Sequence, residues 1–215
     1  MRFKIIAPNI YWVDFDFQYE LAMSFLRFQE HYESPEFKDK VFTLGQYREW
    51  YKTTRSHGEF SYPKDWNGFN IPGYIFKPFT NGLFDPLTAE EQELIFTLIR
   101  NKVDLDSNFY LIGTHGGAID VLDHEICHAL YYTNPKYKSK MDNLMGQYDL
   151  SKLHNTLMDM GYHKDLCKDE AQAYICTGFD EDRPEMTCPE GLKKAMIAVM
   201  SQYFPPIAQS QEFDV

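Results

Sequence analysis

Residues 124–128 read His-Glu-Ile-Cys-His, and this run constrains the chain more than any other. On a helix, two histidines four positions apart lie on one face about one turn apart and can reach the same ion. Glu125 is offset by about 100° from His124. It cannot easily join the histidines as a ligand, but it can reach a water beside them. The spacing thus separates ligand from base.

The flanking residues agree with a helix. Phe109–Thr114, FYLIGT, is a compact apolar run that reads as a strand, and His115-Gly116-Gly117 reads as a turn. A helix is expected from about Ala118 to Thr133, because Pro135 cannot continue it and disfavours helix at Asn134. Ile119, Leu122, Ile126, Ala129 and Leu130 form its apolar face. Gly117, Val121, His124, Glu125 and His128 form the other, with Cys127 between as a packing residue. With seven His in the chain, chance gives roughly 0.02 such matches, so this context is what carries weight.

A catalytic zinc site needs three protein ligands and a water. The metzincin pattern would place Gly and a third ligand where this chain has Tyr131 and Asn134, which rules that class out. The downstream run Lys168–Tyr174 is a better source. Glu170, Ala173 and Tyr174 share a helical face, and Ala173 is small enough for two helices to approach closely. Glu170 is the candidate third ligand, with Asp169, His154 and His163 as alternatives.

HEICH followed by a helical Glu resembles the gluzincin type of zincin metallopeptidase. The resemblance covers roughly residues 109–177 and implies one Zn²⁺ per chain, held by His124, His128 and Glu170, with Glu125 as general base. It also implies a β-strand against which an extended substrate lies, and FYLIGT is the segment in a suitable position. A donor for the developing oxyanion is required, and His163, Tyr162, His154, Tyr131 and Tyr132 are candidates. The chain departs from the family at Tyr174, where the thermolysin-like pattern has an Asp that orients the first His. Asp120, Asp169 or a carbonyl would have to do that work.

Elsewhere the sequence reads as α+β. A mixed N-terminal part, residues 1–105, carries a small sheet, and a mostly helical part, residues 106–215, carries the site, all within a single domain. Strands are expected at Lys4–Ile6 and near Tyr74–Phe76, and helices at Phe17–His31, 44–54 and from Thr88 to about Lys102. Further helices are expected at 136–146, 150–160, 164–177 and 188–203. The aromatic-rich stretch 60–79 reads mainly as packing.

A net charge of −11 argues against nucleic acid or an anionic membrane as partner. Four cysteines without a C-x-x-C pair, and no signal peptide or membrane span, suggest a cytoplasmic setting, with leaderless export left open. The expected partner is a peptide or protein substrate. Two other readings stay open: a non-catalytic zincin-like binding protein, and a zinc hydrolase of a non-peptide amide.

Overall fold

The computed structural model describes residues 1–55, 58–117, 119–160, 162, 164–179 and 186–204. The fold is α+β, with a small four-stranded sheet in the N-terminal part and a mostly helical C-terminal part. The chain divides into two compact units, residues 1–118 and 119–215.

The first unit begins with strands β1 (Arg2–Ala7) and β2 (Ile10–Phe15). They pair antiparallel, with Ala7 opposite Ile10 across a two-residue turn in which Asn9 takes φ 64°. Asn tolerates that left-handed conformation better than most residues. The helices of this unit are α1 (Gln18–Glu33), α2 (Leu44–Thr54), α3 (Tyr62–Asp65), α4 (Phe76–Thr80) and α5 (Ala89–Arg100). Thr43 and Thr88 start α2 and α5 with reciprocal capping boxes to Gln46 and Glu91. Two more strands, β3 (Gly68–Pro72) and β4 (Tyr110–His115), complete the sheet in the order β1-β2-β4-β3.

Three expectations change here. The strand placed near Tyr74–Phe76 is a 3-10 turn, Gly73–Ile75, running into α4, and the strand lies just before it. Pro72 cannot donate to a ladder, and the Gly73 N–H instead closes on the Phe109 carbonyl at 2.7 Å. Strand β4, grouped by sequence with the helical part, belongs to the N-terminal sheet. It is also central, parallel to β2 on one side and antiparallel to β3 on the other. Both of its ladders are filled, so it cannot take an added substrate strand.

Helix α1 covers the sheet, and its Leu21, Phe25 and Phe28 are fully buried. Gly113 in β4 makes room for it, since a Cβ there would lie 2.5 Å from Phe25 Cε2 and 2.9 Å from Leu21 Cδ1. Tyr62, Phe69, Phe76 and Phe79 from the aromatic-rich stretch are buried in this core, as packing requires. Arg27, also on α1, forms a fully buried ion pair with Glu91 of α5. Glycines 116 and 117, at φ 64° and 70°, end β4. Asp14 Oδ1 holds that turn by accepting from Thr114 Oγ1 at 3.0 Å and from the Gly117 N–H at 3.2 Å.

The second unit contains α6 (Ile119–Thr133), α7 (Pro135–Met145), α8 (Ser151–Asp159), α9 (Cys167–Thr177) and α10 (Glu190–Tyr203). Helix α9 packs against all four of the others. Leu122, Ile126, Ala129 and Leu130 of α6 are buried as their spacing predicts. No helix among the described residues is long and apolar enough to cross a membrane.

Gly113→Ala should lower the free energy of unfolding by about 1–3 kcal/mol, because the new methyl must displace the packed Phe25 ring. Urea unfolding followed by circular dichroism measures this, and an unchanged midpoint would contradict the packing described.

Candidate metal centre

The centre is built from α6 and α9. His124 of α6 meets Thr177, late in α9, while His128 meets Asp169, early in α9, so the two helices run antiparallel. Ala173 lies between them fully buried, which permits the close approach. Glu170 sits in the first turn of α9, where the helix dipole favours a carboxylate.

Three side-chain atoms converge. His124 Nε2 and His128 Nε2 are 3.2 Å apart, and each lies 3.8 Å from Glu170 Oε2. A point equidistant from the corners of that triangle is about 2.1 Å from each, the distance at which zinc binds imidazole nitrogen or carboxylate oxygen. Among the described residues this is the group of His, Cys, Asp and Glu side chains that could hold a metal ion. Side-chain exposure is 20% for His124, 14% for Glu170 and 5% for His128.

Hydrogen bonding fixes what the three atoms offer. His128 Nδ1 lies 3.0 Å from Asp169 Oδ1, which can only accept, so Nδ1 carries the hydrogen. Thr177 Oγ1 donates to the Ala173 carbonyl at 2.9 Å and therefore accepts from His124 Nδ1 at 3.3 Å. In neutral rings both Nε2 atoms then present bare lone pairs. Glu170 Oε2 is buried and, among the described residues, meets no hydrogen-bond donor. With both rings neutral, three acceptors face one another, a donor set that fits a metal ion. The same field acts on His128 itself. Burial disfavours its charged form, but Asp169, Glu170 and Glu125 outweigh burial and its pKa rises to about 10.

The carboxylate that the family pattern puts at Tyr174 is supplied differently. Asp169 serves the second histidine, and the Thr177 hydroxyl serves the first, an option the sequence reading did not include. Tyr174 packs edge-on against the His124 ring, with centroids 4.7 Å apart. The Asp120 side chain lies outside the described residues. Thr177 follows Glu170 by seven positions and so shares its face, the one sequence signal that points to it.

The oxyanion candidates separate by position. Tyr162 has its hydroxyl 3.4 Å from that of Tyr174. Its pKa is raised by burial, then by Glu170, Tyr174 and Glu125, so it stays protonated and able to donate. Tyr131 is buried and its hydroxyl donates to Asp142 at 2.6 Å. Tyr132 is half-buried further along α6. His154 lines a cavity of about 190 Å³ with Asp142, Met145, Tyr148 and Lys168, and is not one of the convergent ligands. His163 lies outside the described residues. Cys127 is fully buried, and burial, then Cys176, push its thiol pKa well up, consistent with a packing residue.

No family model, curated protein or solved structure matches this chain.

A divalent ion that binds here should stabilise the fold. At about one hundred times its dissociation constant, it should add about 2.7 kcal/mol to the unfolding free energy of the unmodified chain. Glu170→Ala should lose most of that gain. Thermal unfolding across a zinc titration reads both, and an equal gain in the two proteins would remove Glu170 from the ligand set.

Proposed function

We propose that the chain is a zinc-dependent hydrolase of peptide bonds, with His124, His128 and Glu170 holding one zinc ion and Glu125 acting as general base. The observation that carries this reading is the convergence of the three acceptor atoms at spacings that suit zinc, two of them on the helix that also bears Glu125. Two histidines and a glutamate are a ligand set typical of hydrolytic rather than structural zinc, because one coordination position stays open.

A zinc ion held there supplies Lewis acidity, acidifying water and polarising a carbonyl oxygen. The chain's own groups do the rest. Glu125, one residue after a ligand, accepts the proton of the attacking water and passes it to the leaving amine. Tyr162, held protonated near Glu125 and Glu170, donates to the oxyanion. Asp169 and Thr177 keep the two imidazoles in the tautomer that offers Nε2. The orientation of Glu170 into the cluster favours a catalytic protein over a non-catalytic binding one. The substrate we propose is a peptide or protein, and the proposed setting is the cytoplasm, supported by four free cysteines.

Purified protein should contain about one zinc per chain and cleave peptides. Glu125→Gln should keep the metal and lose about 10²–10⁴-fold in turnover. Tyr162→Phe should lower kcat by about 10²–10³-fold with little change in KM. Metal-replete protein without zinc sinks the proposal, and turnover of small non-peptide amides alone would move the substrate class.

A further inference from the structure

We infer that Gln172 and Tyr137 are positioning residues for the His128 imidazole, acting through Asp169 as a buried hydrogen-bond relay from α7 through α9 to α6. The inference rests on the metal-dependent reading above and adds residues to which that reading gives no role.

The relay is continuous. Tyr137 Oη lies 2.8 Å from Gln172 Oε1, Gln172 Nε2 lies 3.0 Å from Asp169 Oδ1, and the same Oδ1 lies 3.0 Å from His128 Nδ1. Tyr137 and Gln172 are both fully buried, so water does not compete for these bonds.

Its direction is forced. Asp169 can only accept, so Gln172 must turn its Nε2 towards it. That leaves Oε1 facing the Tyr137 hydroxyl, which must then donate. The reverse amide orientation would set Oε1 against a carboxylate. The Tyr137 proton therefore selects the amide orientation, and the amide holds Asp169 in place for His128. Asp169 needs such support, because its side chain is 26% exposed and sits in the first turn of a helix.

Tyr137 is itself fixed. Asn134 caps α7 and accepts from the Tyr137 backbone N–H at 3.1 Å, with Pro135 opening the helix. The Tyr137 ring meets Tyr203 of α10 edge-on, with centroids 5.5 Å apart. The helix break at Pro135, which ends the metal-bearing helix, thus also delivers the residue that begins the relay.

The test uses the full chain and zinc itself. Zinc dissociation constants from chelator competition should rise about tenfold in Tyr137→Phe and in Gln172→Met, at the lower end of the range for outer partners of a ligand. Proton–nitrogen NMR of the zinc-bound protein should show the His128 Nδ1–H exchanging faster with solvent in both variants, because the oxygen that accepts it is no longer held. Neither change should add to the loss already caused by Asp169→Asn, because all act through one oxygen. Leu157→Ala, a buried truncation on α8 outside the relay, should lower stability and leave zinc affinity unchanged. Wild-type affinity and Nδ1–H exchange in both variants, or losses that add to Asp169→Asn, would overturn the relay while leaving the zinc reading intact. A wild-type chain that takes up no zinc would overturn both.

Discussion

Two imidazole nitrogens and a carboxylate oxygen face one another, and once both rings are neutral all three are acceptors. Such a cluster is unfavourable unless positive charge lies between the three atoms. The rest of the helical unit is arranged around keeping them there. Helix α9 packs on all four other helices of its unit, so the helix bearing Glu170 is the least free to move. Small Ala173 sets the spacing to α6. The outer nitrogens of both histidines are tied to α9, one to Asp169 and one to Thr177.

The two histidines are not equivalent. His128 is buried and backed by a carboxylate that is itself held by an amide and a phenol. His124 is four times as exposed and is backed by a hydroxyl. A carboxylate raises the basicity of an imidazole more than a hydroxyl does. His128 is thus the stronger donor of the pair. With Tyr174 four residues after Glu170, the carboxylate support falls on the second ring, from Asp169.

Much of this was legible in the sequence wherever the information was local. The HEICH helix, its strand and turn, and the Thr88 cap are each specified by residues a few positions apart. Glu170 was legible because helical spacing ties it to Ala173. Strand β2 was not, because its pairing depends on a two-residue Pro8-Asn9 turn and on β4, about a hundred residues away. Strand β3 was displaced because Gly and Pro interrupt that whole stretch and give no period to read. The support of the histidines was the least legible part. Thr177 lies 53 residues from His124 and Gln172 lies 35 from Tyr137, and nothing local announces either contact. Those partners follow from how helices cross, which no single segment encodes.

The sheet order has a consequence for behaviour at high concentration. With β2 and β4 inside, only β1 and β3 could template pairing with another copy of the chain. Strand β1 carries Arg2 and Lys4 along six residues. Strand β3 is only five residues long and ends at Pro72, which has no N–H to offer. A net charge of −11 adds repulsion between copies. Both edges are thus poor seeds for ordered self-association, and the strand richest in apolar residues, β2, lies inside the sheet.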